Sequence, residues 1–148
     1  MIAEQKNIAV GLEWQGNPIP MHEDEMMAFA SRYDPQPMHM DVARAETGRF
    51  GAIIASGWHV LSLLMADNVR TSPFAGEVLG ISADDVRWLK PVTANDILIA
   101  SRWISEFRPS QSKAGMGIVR MNTCAKNQRG ESVIQFSNLM LVELRAAA

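Results

Sequence analysis

Asp34 and His39 stand five residues apart in the stretch Asp34-Pro35-Gln36-Pro37-Met38-His39, and Gly57 follows eighteen residues beyond His39 in Ser56-Gly57-Trp58-His59. Two prolines hold the first stretch in an extended or turning path, so that a carboxylate and an imidazole can converge on one water molecule. Near neutral pH that pair supplies an acceptor to hold and deprotonate water and a second group to hand a proton over. A glycine opening a helix offers an unobstructed backbone N–H to a developing negative charge. Together these residue types spell a site for adding or removing water. Each also has a plainer reading: aspartate before proline initiates turns, a lone histidine is commonly a hydrogen-bonded core residue, and Gly57 equally suits a tight turn or close packing. Asp34 and His39 support each other, and their conjunction favours chemistry.

The elements needed to position these groups are legible around them. Residues 8–14 alternate apolar and polar toward their end and precede the turn cluster Gln15-Gly16-Asn17-Pro18, which predicts a first strand. Acidic residues at Glu23, Asp24 and Glu25 favour a helix N-terminus, and Met26, Phe29, Ala30 and Tyr33 recur at helical spacing. That helix should stop at Asp34, because the residue before a proline is pushed out of the α region. Asp41 to Thr47 reads as a short helix broken by Gly48 and Gly51. From Gly57 to Asn68 the pattern is helical and apolar on most faces, with Trp58, Val60, Leu61, Leu63, Leu64 and Met65 around a small Ser62, which predicts a buried helix. After a loop over residues 71–76, four strand-like runs follow at about 79–90, 96–107, 115–126 and 131–144, joined by short links and therefore expected to be antiparallel. The sum is five strands, two helical segments and an α+β arrangement in one domain spanning 1–148.

Composition narrows the function classes. A chain of 148 residues with 47% apolar content can bury one core. A net charge of −2 and a pI near 5.9 give no general attraction for nucleic acid or anionic lipid. The single Cys124 has no partner for an intramolecular disulfide or a thiolate zinc site, which fits a reducing compartment. Met1–Asn7 carries no basic region followed by an apolar run, and no stretch approaches ~18 uninterrupted apolar residues. The expectation is a soluble, cytoplasmic protein with neither nucleic acid nor membrane as partner. His22, His39 and His59 are too dispersed for a helical ligand pair, so no metal is assigned. Serine-hydrolase and phosphate-loop motifs are missing from the sequence.

Asp34-x-Gln36-Pro37-Met38-His39 resembles the Asp-x-Asn-Pro-hydrophobic-His signature of the MaoC-like, hydratase-2 type (R)-specific enoyl-CoA hydratases, which have a hotdog fold. The likeness continues through Met40-Asp41, through Ile53 to Gly57 and into the helix beyond. It returns at Val86-Arg87-Trp88-Leu89-Lys90-Pro91-Val92 with Asn95-Asp96, and again from Arg108 to Lys113, so nearly the whole chain is covered. The resemblance implies an antiparallel sheet of about five strands wrapped around a long central helix. It further implies that Asp34 and His39 bind the water that adds across the trans-2 double bond of an enoyl thioester, with Gly57 as oxyanion donor. The substrate would be an acyl-CoA thioester giving a 3-hydroxyacyl product, with no cofactor beyond the carrier. Gln36, Ser56 and Trp58 fall where substrate contacts are expected. By likeness to the family the assembly would be a homodimer or a dimer of dimers, and a small sheet with exposed edges argues the same way.

Three positions depart from the family pattern. Gln36 replaces asparagine and reaches one methylene further, Tyr33 stands where a glycine commonly precedes the aspartate, and Ser56 stands where histidine often precedes the oxyanion glycine. Trp58 reads as a core tryptophan, with narrowing of the acyl pocket as the functional alternative, and Ser62 as a small packing residue. Arg87, Lys90, Arg108 and Lys113 are candidates for the carrier's phosphates, though solvated charge is the default for each. Two other functions stay open: an acyl-CoA thioesterase on the same fold, and a non-catalytic acyl-thioester-binding subunit.

Overall fold

The computed structural model describes residues 8–144, and the reading of Met1–Asn7 therefore falls outside the described residues. In chain order the elements are β1 (Glu13–Gln15), β2 (Ile19–Pro20), α1 (Glu23–Tyr33), α2 (Pro37–Met40), α3 (Val42–Glu46), α4 (Gly57–Thr71), β3 (Val78–Trp88), β4 (Ile97–Pro109), β5 (Met116–Lys126) and β6 (Ser132–Glu143). The first strand is shorter than the 8–14 expected, because Gly11, at φ +91°, turns the chain there before β1 begins. A two-residue β2 makes the strands six, α3 is the short helix read over Asp41 to Thr47, and the one-turn α2 is an addition. The path after Asp34 is correspondingly not extended throughout: Pro37 occupies the first position of a one-turn helix, where its missing N–H costs nothing. That turn carries His39 back toward Asp34.

The sheet is antiparallel in the order β1-β4-β5-β6-β3, with β2 pairing β4. Strands β3 and β4 run antiparallel, as expected, yet they are not neighbours in the sheet. β3 pairs with β6 at one edge, so residues 89–96 must cross from that edge to reach β4. Along the way Leu89 N–H donates to the Val133 carbonyl, Ala55 N–H donates to the Val92 carbonyl, and Ile54 bridges Thr93. The crossing is thereby stitched beneath the segment that leads into α4.

Burial alternates along β4 and β5, which turns one face of the sheet toward the helix. Val60 and Leu64 of α4 share a core with Met26 of α1, Leu98 and Ala100 of β4, Ala125 of β5 and Ile134 of β6. Burying one such side chain stabilises the fold by roughly 1.5–3 kcal/mol. A fully buried ion pair fixes the helix on the sheet: Arg102 donates to Asp67 Oδ2 at 2.7 Å and to the Leu64 carbonyl at 2.9 Å. Asn17 N–H donates to the other Asp67 oxygen, and at Gly16 a Cβ would stand 2.0 Å from Asp67 Oδ2. Only glycine lets the chain pass so close. Removing one partner of such a pair costs roughly 3–5 kcal/mol, since the other is left charged and buried.

The buried-helix expectation needs correction on one face. Trp58, Met65 and Val69 are exposed, while the polar His59, Asp67 and Asn68 are buried. Trp58 is 59% exposed and is no core residue, and Ser62, on the same face, is also exposed.

Candidate functional site

Three elements bring the chemistry together. Asp34 caps α1, where φ −153° and ψ 70° take the chain out of the helix, as the following Pro35 requires. His39 sits in α2 and Gly57 opens α4. His39 Nε2 lies 3.3 Å from Asp34 Oδ2. His39 Nδ1 lies 2.8 Å from the carbonyl oxygen of Ile54, and because a carbonyl can only accept, Nδ1 carries the proton. The Ile54 bond therefore turns Nε2 toward the carboxylate and leaves it for proton exchange.

Asp34 is held from both sides. Gln36 Nε2 donates to Oδ1 at 2.8 Å and Ser56 Oγ donates to Oδ2 at 2.7 Å. The Gln36 amide is the main cause that keeps the Asp34 carboxyl below the usual carboxylate range, with the Ser56 hydroxyl and the nearby His39 acting in the same direction against partial burial. The carboxylate is thus ionised and fixed in orientation.

At the start of α4, His59 N–H and Val60 N–H both return to the Ser56 carbonyl. Gly57 and Trp58 occupy the first two helical positions, whose N–H groups have no carbonyl partner within their own helix. Ser56 makes no side-chain cap, having turned its hydroxyl to Asp34. A cavity of about 440 Å³ opens over these groups, and Asp34, Gln36, His39, Gly57 and Trp58 all line it. The end of β3 and the crossing segment line it as well, through Trp88 and through Leu89, Lys90 and Val92.

Residues 7–125 match the MaoC like domain. The chain belongs to the MaoC-like family. This MaoC-like chain is 26% identical over 135 residues to the uncharacterized protein YdeM of Bacillus subtilis (strain 168), an overlap of 90% of this chain and 94% of that one. The crystal structure of the MaoC-like dehydratase from Rhodospirillum rubrum matches at a TM-score of 0.87 and 30% identity, covering 95% of this chain and 96% of that one. R-hydratase PhaJ1 from Pseudomonas aeruginosa matches at a TM-score of 0.77 and 24% identity, covering 93% and 84%, a likeness of fold. The hotdog fold expected from the sequence is therefore the fold of this MaoC-like chain.

Its departures from the family pattern now have places. Gln36 lines the cavity and spends its amide on Asp34. Ser56 is fully buried, lies outside the cavity lining and donates its hydroxyl to Asp34. Tyr33 points outward, 62% exposed, against the Phe29 ring. Of the four basic candidates, Lys90 alone lines this cavity, where it pairs with Glu131. Two contributors had no signal of their own in the sequence: the Ile54 carbonyl that sets the histidine, and the Trp88 indole, which covers Gly57 so closely that a Cβ there would meet Trp88 Nε1 at 2.3 Å.

Proposed function

We propose that this protein is a hydro-lyase that interconverts a trans-2-enoyl thioester and a 3-hydroxyacyl thioester by adding or removing water. The observation that carries the reading is the Asp34–His39 pair, 3.3 Å apart and open to the same cavity as the N-terminus of α4. A water molecule held by Asp34 and Nε2 of His39 attacks the β-carbon. The new C–O bond forms as the water gives up one proton to this pair, and the π electrons of the double bond move toward the thioester. The α-carbon then takes a proton back from the pair, so that one water has been added and no group on the protein is left changed. Negative charge gathers on the thioester oxygen during this step, and the Gly57 N–H at the positive end of α4 is the donor that meets it. Asp34, His39 and Gly57 are the catalytic residues of this reading, Ser56 a positioning residue, and Gln36 and Trp58 line the bound acyl group. Lys90 at the cavity wall suits a phosphorylated carrier such as CoA. Dehydratase and hydratase names among the structural neighbours support the reaction class.

Turnover of a short trans-2-enoyl-CoA by the purified protein tests the reading, with loss of the conjugated enoyl absorbance and release of free thiol followed in parallel. Enoyl absorbance should fall with no thiol released, and Asp34→Asn and His39→Ala should each lower kcat by about 10²–10⁴-fold. Thiol release would establish a thioesterase instead. Binding without either signal, across several chain lengths, would leave a thioester-binding subunit.

A further inference from the structure

A second cavity of about 420 Å³ lies between α4 and the sheet, and Trp58 lines both it and the catalytic cavity. Its walls are mostly apolar, with Leu61 and Met65 on the helix side and Phe136 on the sheet side. Its polar lining is Ser62 and Asn138, whose side chains are hydrogen-bonded, and three further side chains: Asn68 of α4, Arg102 of β4 and Thr123 of β5. All three are more than nine-tenths buried, and each holds an atom with no hydrogen-bond partner among the described residues: Asn68 Oδ1, Arg102 Nε and Thr123 Oγ1. Arg102 and Thr123 are direct cross-strand partners, so two of these atoms belong to one rung of the sheet. An unpaired buried polar atom costs free energy that a pairing ligand returns. Three of them in one apolar wall are a demand for an occupant with hydrogen-bonding capacity at one end.

We propose that this cavity takes the distal part of the acyl group, and that Thr123 and Asn68 select a chain whose far end carries an uncharged oxygen, a hydroxyl or a carbonyl. The inference rests on the thioester reading above and names the substrate class that reading leaves open. A neutral group fits better than a carboxylate, because the charge of Arg102 is already matched by Asp67 and a second anion would face that carboxylate. Both kinds of partner are at hand: the Asn68 carboxamide carries an acceptor and a donor, and the Thr123 hydroxyl does either, while the Arg102 guanidinium stays on Asp67 and the Leu64 carbonyl. The three atoms are shut from solvent, so engagement turns Thr123 about χ1 and Asn68 about χ2 to present their oxygens to the chain.

Saturated acyl-CoA thioesters, which cannot be hydrated, separate binding from catalysis. Calorimetric titration of the full-length protein would compare plain acyl-CoAs of six, eight and ten carbons with their ω-hydroxy counterparts. At one length or more the hydroxylated chain should bind about tenfold tighter. Thr123→Val should erase that preference and Thr123→Ser, which keeps the hydroxyl, should retain it. Equal affinity of plain and hydroxylated chains at every length would overturn the inference alone and leave the polar wall to ordered water. A preference that survives Thr123→Val in a folded variant would overturn it as well. Should that variant not fold, the ratio in the native protein still decides. Failure to bind any acyl-CoA would sink the thioester reading and this inference together.

Discussion

Asp34 is the residue on which the site's protonation depends, and its environment is built from side chains that the motif alone does not reveal as a set. Gln36 reaches it from two residues away and Ser56 from twenty-two, each donating a hydrogen bond to a different oxygen. Both donors favour the ionised form, which places the folded-state pKa below the unfolded one. A group lowered in this way contributes stability above its unfolded pKa and loses that contribution as pH falls through the folded value. Gln36→Leu deletes the largest of the lowering influences, so the acid limb of kcat/KM should move toward neutral pH. The same substitution should start acid unfolding at higher pH. Ser56→Ala should shift the limb the same way and lower kcat/KM by about tenfold, the worth of one charge-assisted bond. pH–rate profiles of the two variants, with thermal melts across acid pH, check this. An unmoved acid limb in both would mean that these donors do not tune the carboxylate. The residue types at 34, 39 and 57 stood out because the proposed chemistry demands them. Gln36 and Ser56 were legible only as departures from a pattern, since whether a side chain meets substrate or another side chain depends on where the fold turns it.

At the scale of elements, most of the chain could be read locally and the exceptions have a common cause. The stop of α1 before Pro35, the break after α3 and the four long strands follow from turn chemistry and alternation. The edge position of β3 does not, because pairing with β6 is a choice among strands of similar pattern and the crossing over residues 89–96 is set by packing beneath Ala55. Likewise Asp67 on an otherwise apolar helix is explained by Arg102, thirty-five residues away. The last residue of β3 supplies the clearest test of how α4 begins. Trp88 covers Gly57, with three indole atoms within 2.8 Å of where a Cβ would stand. Gly57→Ala should therefore destabilise by about 1–3 kcal/mol through overpacking and cut turnover by displacing the indole or the first turn. Adding Trp88→Ala should restore the melting temperature, because the smaller side chain vacates that space. A single Gly57→Ala variant as stable as the native protein would show that the indole moves aside at no cost and that packing does not require glycine there.

For the whole molecule, the question is what covers the apolar surface that one chain leaves in water. Strand β3 is an edge of the sheet and carries Leu79 and Ile81, each more than half exposed. The unburied stripe of α4, formed by Trp58, Met65 and Val69, is exposed on the side of this edge that Val78 and Gly80 face. A long apolar edge strand is an aggregation hazard unless another strand pairs with it, and a second copy of the same chain is the partner always present. We propose a homodimer formed through the β3 edge and the stripe beside it. Trp58 and Trp88, a T-shaped pair with centroids 5.4 Å apart, belong to that surface and also line the catalytic cavity, so a partner laid over them would close the open side of the site. Exclusion of water there strengthens every charge interaction of the reaction. Light scattering of the native protein should accordingly give twice the chain mass at micromolar concentration. Leu79→Lys with Ile81→Lys should give a monomer that keeps its secondary structure and loses turnover, although neither residue lines the catalytic cavity. A native monomer across dilution would refute the dimer. A monomeric double variant with full turnover would mean instead that each chain closes its own site, and that the exposed tryptophans serve the substrate and not the assembly.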